Sequence, residues 1–96
     1  MKEYSLTERK NAFARLPQPI QDYLASDELS RIYLGLRKKH SLDLRQLMVV
    51  SEITYVTLLG LESETALETN IHQGLHELSN EGARELVGDI NDRIFR

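Results

Sequence analysis

The chain contains no cysteine in its 96 residues. Without a thiol it forms no disulfide framework, no thiolate metal site and no cysteine nucleophile, which fits a reducing compartment. The first residues, MKEYSLTERKNAFARL, lack the apolar segment that a signal peptide needs. In the apolar centre of the chain, the longest stretch without a charge runs from Ile53 to Leu61, far below the ~20 residues that cross a bilayer. We therefore expect a soluble, cytoplasmic protein that does not enter a membrane.

Catalytic motifs are also missing from the sequence. It has no phosphate-binding glycine loop, no dinucleotide fingerprint and no nucleophile–base arrangement. Four carboxylates near the C-terminal end are spaced by four, four and three residues, namely Glu81, Glu85, Asp89 and Asp92. This spacing is typical of the solvated face of an amphipathic helix, whereas catalytic carboxylates need burial or a shared cleft to shift their pKa values. We expect no enzyme, no cofactor and no small-molecule substrate.

The composition is that of one small globular domain with an uneven charge distribution. Hydrophobic residues make up 41% and charged residues 28% of the chain, and its length allows one modest core. Residues 1–50 carry nine Lys and Arg against six Asp and Glu, whereas residues 51–96 carry three against nine. Two oppositely charged surfaces suit docking to a protein partner, or head-to-tail self-association.

Helix start and stop signals predict an all-α fold, a compact bundle of five to six short helices in a single domain, residues 1–96. Ser5 and Glu8 have capping-box spacing, which predicts a helix over about 6–15 in a peripheral N-terminal segment, residues 1–16. Pro17 and Pro19 end that helix, and Pro19 suits the first turn of the next. A third helix begins at Ser26 or Asp27, and its single apolar stripe consists of Leu29, Ile32, Tyr33 and Leu36.

The most apolar segment is LRQLMVVSEITYVTLLGL, residues 44–61, whose only charges are Arg45 and Glu52. As a helix it is apolar around most of its circumference, and such a helix is surrounded by others. It is therefore predicted to be the central helix of the bundle, over about 44–59, ended by Gly60. The β-branched run 53–57 favours a strand, but no other segment offers a pairing partner.

The rest of the chain, residues 63–95, predicts a C-terminal helical hairpin. Ser63 opens its first helix and Ser79 caps its second. Almost no residues separate the two helices, so we expect a tight corner or an antiparallel hairpin. The first apolar stripe consists of Leu67, Ile71, Gly74, Leu75 and Leu78, and the second of Ala83, Leu86, Val87, Ile90 and Ile94.

Two histidines in this hairpin have the spacing of a metal site. His72 and His76 are four residues apart, on one side of a helix, and Glu68 precedes them by one turn. The string HQGLH is not a zinc-protease motif, and no third histidine lies nearby. We expect two solvated surface histidines and no metal.

The basic segment 31–45 is the candidate for binding an anionic partner. Its cations are Arg31, Arg37, Lys38, Lys39 and Arg45. Several clustered cations favour nucleic acid, but a basic helix end also suits the helix dipole, and the overall pI is near 5.6. In the last helix, Phe95 falls off the apolar stripe, beside Asp92. An aromatic residue there is either a contact of a fraying helix end or an anchor for a partner.

Three motifs resemble a known type of domain. In chain order the motifs are HSLDLRQL, TYVTLLGL, and a helix from Ala83 that ends in Asp89-Ile90-Asn91 and Ile94-Phe95. Together they resemble a small helical domain of uncharacterised bacterial proteins. These proteins come especially from ultrasmall, host-dependent lineages. The resemblance covers residues 17–96, rests mainly on core and cap positions, and implies an all-helical interaction module without assigning functional residues.

Together these observations predict a non-enzymatic protein–protein interaction module or a small structural adaptor. The alternative is a nucleic-acid-binding protein that uses the basic segment 31–45. The predicted partner-binding residues are Arg37, Lys38, Lys39, Arg45, Asp92 and Phe95.

Overall fold

Six α-helices follow one another in the computed structural model, which describes residues 1–95. They are α1 (Leu6–Arg15), α2 (Gln18–Leu24), α3 (Asp27–His40), α4 (Leu44–Leu58), α5 (Leu67–Gly74) and α6 (Asn80–Arg93), with one 3₁₀ turn, Glu64–Ala66, before α5. Within the described residues there is no strand. The predicted all-α fold is therefore confirmed, and the β-branched run 53–57 is helical.

Side-chain caps mark the starts of α1, α3, α4 and α6, whereas α5 has no side-chain cap and Ser63 caps the 3₁₀ turn before it. Ser5 and Glu8 form a reciprocal capping box at α1, and Asp43 and Gln46 form another at α4. In each box the two residues satisfy backbone N–H groups that the first helical turn leaves free. Gly60 follows α4 with φ at 80°, the left-handed conformation that glycine adopts without steric cost.

The core lies between α3, α4, α5 and α6. Its fully buried side chains include Leu36, Val50, Ile71, Leu86 and Ile90. These four helices surround one continuous apolar cluster. By contrast, α1 buries only Ala12, and α2 packs only partly buried side chains, Tyr23 and Leu24, against the core.

Burial along α4 is uneven. Its second half contributes buried residues on several sides, among them Ile53, Val56 and Thr57. Its first half leaves Leu44 and Met48 largely exposed. The prediction of a surrounded central helix therefore holds for Val50 and the second half of α4, whereas no described helix covers the face of the first half that carries Leu44 and Met48.

Helix α5 is shorter than predicted. The apolar periodicity continues through Leu75 and Leu78, but the helix ends at Gly74 and residues 75–79 form a turn before α6. At Gly74, α5 lies close to α4, since a Cβ atom there would lie 2.8 Å from Val49 Cγ1. Leu75 remains fully buried although it is not helical. The two C-terminal helices are thus joined by a short connection rather than by a tight corner.

None of the helices described for residues 1–95 has both the length and the hydropathy needed to cross a bilayer.

Candidate functional site

Three large apolar side chains protrude next to one another on α3 and α4. Leu34 is 59% exposed, Leu44 60% and Met48 63%. The turn 41–43 joins the two helices, which contact each other. Leu34 and Met48 line one groove between them, and Leu44 lies one helical turn before Met48. We call these three residues the apolar ridge.

A groove runs along each side of Met48. Between α3 and α4 a groove of about 290 Å³ is lined by Tyr33, Leu34, Leu47, Met48 and two serines. Between α4 and α5 a groove of about 470 Å³ is lined by the apolar side chains of Met1, Met48, Val49 and Ile53, with polar or charged residues such as Arg45 and Glu52 among the others. Burial raises the pKa of the Tyr33 hydroxyl well above its ordinary value. The ridge is therefore flanked by concave, largely apolar surface.

Three cations of α3 surround Leu34. Arg31 precedes it by three residues, and Arg37 and Lys38 follow it by three and four, so all three lie within one helical turn of it. Their side chains are exposed. The guanidinium of Arg37 also donates through Nε to the Leu42 carbonyl, at 3.2 Å, which holds the turn between α3 and α4. Two of the predicted partner-binding residues, Arg37 and Lys38, thus border the apolar ridge.

The next two residues, Lys39 and His40, contact α6 instead. Lys39 Nζ lies 2.8 Å from Asp89 Oδ2, and His40 Nε2 lies 2.7 Å from the same oxygen. The hydrogen bond from Lys39, and to a smaller extent the one with His40, holds the pKa of Asp89 below its ordinary range, although partial burial raises it. Asp89 is therefore an internal ion-pair acceptor, and its interpretation as part of a solvated face is wrong. The basic segment is divided between a structural side and an exposed side.

Arg45 is also engaged within the molecule. Its guanidinium forms an ion pair with Glu77, and Gln46 Nε2 donates to the same carboxylate at 3.1 Å. The pKa of Glu77 is lowered first by a backbone hydrogen bond of its own residue, and then by Gln46 and Arg45. The start of α4 is thus tied to the turn that follows α5.

Phe95 and Asp92 have different surroundings although they are close in sequence. Phe95 is half-buried and packs against the core, where it lines a depression of about 320 Å³ with Ile20, Tyr23 and Leu58. Phe95 thus follows the end of α6 and lies on the same depression as two residues of α2, Ile20 and Tyr23. Asp92 is exposed on α6.

The two histidines with metal-site spacing do not share a helical face. Because α5 ends at Gly74, His76 lies in the following turn while His72 is helical. Across residues 1–95, no group of three or more His, Asp or Glu side chains is close enough to hold a metal ion.

Helix α1 lies against the second half of the outer face of α4. Arg9 forms an ion pair with Glu52, and Leu6 and Phe13 line a depression with Tyr55. Ahead of this helix, Tyr4 donates to the Leu61 carbonyl at 2.9 Å and to the Glu62 carboxylate. The bond to Glu62 raises the pKa of Tyr4 to about 12. Because Met48, Glu52 and Tyr55 recur at helical spacing, α1 covers one end of the face that carries the ridge.

The sequence contains a signal for only one part of the ridge. Leu34 falls outside the stripe of Leu29, Ile32, Tyr33 and Leu36, so an exposed position follows from its spacing. Leu44 and Met48 belong to an apolar run that has no such contrast.

Comparisons of the chain with protein-family models, with curated proteins and with solved structures give no match. The resemblance to the small helical domain of bacterial proteins therefore stays a prediction.

Proposed function

We propose that this chain is a non-enzymatic protein–protein interaction module that docks a partner on the apolar ridge. The observation that carries the proposal is the grouping of Leu34, Leu44 and Met48, each more than half exposed, on adjacent helices. Single exposed apolar residues are common on proteins, whereas a contiguous patch marks an interaction surface. The grooves beside Met48 extend this patch.

The internal ion pairs support this location. Lys39 and Arg45 are engaged by Asp89 and Glu77, so they stabilise the fold more directly than they serve a partner. The exposed cations Arg37 and Lys38 border the ridge. Charged groups at the rim of an interface speed association and select partners, while the apolar centre supplies most of the binding energy. We place this activity in the cytoplasm, which the absence of cysteine supports.

Affinity capture with paired variants tests the proposal. Tagged wild-type chain, Met48→Glu and Leu6→Glu are expressed in the native cell, and captured proteins are quantified by mass spectrometry. Leu6 is as exposed as the ridge residues but lies on α1. We expect a partner that is captured by the wild type and by Leu6→Glu, is lost with Met48→Glu, and binds the purified chain directly. An identical captured set for all three proteins contradicts the proposal.

Nucleic-acid binding is the second candidate, and the exposed cations Arg31, Arg37 and Lys38 favour it. A gel shift at low salt should then weaken as salt rises, because bound phosphates release counterions. It should be lost when Lys38 and Lys39 are both changed to Glu. Absence of a shift at low salt excludes this candidate.

A further inference from the structure

Helix α1 touches the outer face of α4 at one end only. At the second half of α4, α1 contributes Phe13 beside Tyr55 and Arg9 paired with Glu52. At its first half the same face presents Met48 and Leu44 to solvent. A second helix laid on that half would lie beside α1 and cover apolar surface that α1 leaves exposed. No strand occurs in the part of the chain that the structure describes, so it provides no sheet edge to which an extended peptide could add.

The apolar surface has the length of a short helical contact. From Leu44 to Ser51 the axis of α4 advances about 10 Å, at ~1.5 Å per residue. Two turns of a partner helix cover this distance, and they present apolar side chains at positions i, i+3 or i+4, and i+7. Leu34, on the opposite wall of the α3–α4 groove, can pack between such side chains.

The α3 border of the ridge is positively charged, whereas Asp43, beside Leu44, is an exposed carboxylate that accepts from the Gln46 N–H at the start of α4. Arg31, Arg37 and Lys38 lie within one turn of Leu34. Two carboxylates on the other side, Glu52 and Glu77, are already paired with Arg9 and Arg45. The acidic residues of α3, Asp27 and Glu28, lie in its first turn, at the far end of the helix. An occupant with carboxylates beside its apolar stripe complements this border.

A second copy of the chain does not provide that occupant. Its α6 presents Glu81, Glu85 and Asp92, but none of the large exposed apolar side chains lies on that helix. Its α1 carries Arg9, Lys10 and Arg15 against Glu8 and would be repelled by the cations around Leu34. Ridge-to-ridge packing would bring two sets of these cations together.

We infer that the occupant of the apolar ridge is an amphipathic helix of another protein, with Asp and Glu flanking its apolar stripe. This inference rests on the proposed function, because it identifies the class of partner for the same surface. The apolar side chains supply the contact area, and the cations of α3 select acidic flanks over basic ones.

A peptide-display selection tests both the ridge as a docking surface and the acidic amphipathic helix as its occupant. A library of helical peptides with a fixed leucine stripe and randomised flanks is selected on the wild-type chain and on Met48→Glu, with Leu6→Glu as the matched control. Circular dichroism shows whether each variant keeps its helical content. We expect peptides with Asp- and Glu-rich flanks to be enriched on the wild type and on Leu6→Glu, and not on Met48→Glu.

The selected peptide then measures the charge preference. Fluorescence anisotropy should show about tenfold tighter binding than its Gln-flanked counterpart at low salt, and a smaller ratio at high salt. Changing Arg31 and Lys38 together to Glu should reverse the preference toward a Lys-flanked peptide. Met48→Glu should bind none of the three.

Other outcomes overturn the inference in distinguishable ways. Peptides that need Met48 but show no acidic preference would overturn the acidic helix and leave the proposed function standing. The absence of any Met48-dependent peptide would overturn both. Binding to phosphatidylserine vesicles that is lost in Met48→Glu, or a dimer lost in that variant, would assign the ridge to a membrane surface or to a second copy.

Discussion

The two halves of α4 are both rich in apolar residues but have different surroundings. In the second half, Ile53 and Val56 are buried by the helices around them. In the first half, Leu44 and Met48 are exposed. Apolar composition is similar in both, so it cannot distinguish a core side chain from one available for docking. The distinction depends on which neighbouring helices are present.

The largest expected difference in stability is between truncating a core side chain in the second half of α4 and truncating a ridge side chain in the first half. Ile53→Ala should lower the free energy of unfolding by about 2–5 kcal/mol, because it leaves a cavity in a packed cluster. Met48→Ala should change it by no more than ~0.5 kcal/mol, since the side chain is mostly in water. Urea unfolding followed by circular dichroism measures both. Equal losses would show that the ridge belongs to the core.

An intermediate effect is expected where α5 approaches both halves of α4. A Cβ atom on Gly74 would lie 2.8 Å from Val49 Cγ1 and 3.2 Å from Ile53 Cδ1. Gly74→Ala should therefore cost about 1–3 kcal/mol through overpacking. The control is Gly88→Ala on α6, where nothing lies within 4 Å and helix propensity gives a gain of ~0.5–1 kcal/mol. Thermal melts should move in opposite directions, and a shared direction would contradict the close approach.

The smallest expected effect concerns Asp89, which binds Lys39 and His40 on the side of α3 away from the ridge. Asp89→Asn removes the carboxylate that pairs with Lys39 and His40 and should cost about 1 kcal/mol at pH 7. The folded-state pKa of Asp89 is lowered, below the ~3.9 of an unfolded chain. Its ionised form therefore stabilises the fold above that pH, and the stabilisation is lost as pH falls through the folded-state pKa.

Urea unfolding of the wild type and of Asp89→Asn at a series of pH values should thus show a difference that narrows below pH ~4. Asp92→Asn is the matched control, because Asp92 is exposed on the same helix. It should leave unfolding within ~0.5 kcal/mol of the wild type at each pH. A constant difference for Asp89→Asn across the acid range would contradict the ion-pair account.

Local signals predict the helices because they act through neighbouring residues. Ser5 with Glu8, and Asp43 with Gln46, each satisfy backbone groups within one turn, so their spacing alone predicts a helix start. The end of α5 is different. Leu75 and Leu78 continue the apolar period, but the helix ends at Gly74. Leu75 is fully buried although its backbone is not helical. Gly74 is the local signal for that end.

The Asp89 ion pairs and the exposed apolar residues of α4 could not be predicted from local sequence, because they depend on residues far apart in the chain. Asp89 pairs with residues 49 and 50 positions earlier in the chain, and no spacing rule connects them. The exposure of Leu44 and Met48 likewise depends on how far α1 extends along α4. The exposure of Leu34 could be predicted from the sequence, because this residue falls outside the apolar stripe of α3. The residues bordering the ridge, Arg37 and Lys38, could be predicted as cations but not as neighbours of an apolar patch.

The helical state of residues 53–57 has a consequence for the unfolded chain. The hydroxyls of Thr54 and Thr57 donate to the carbonyls of Val50 and Ile53, at 2.7 and 2.8 Å, which satisfies them inside the core. Once the bundle opens, the same uncharged, β-branched sequence has the features of a segment that assembles into cross-β aggregates. Packing of α4 therefore protects solubility as well as shape. Core variants such as Ile53→Ala should aggregate in proportion to the fraction of chains that unfold.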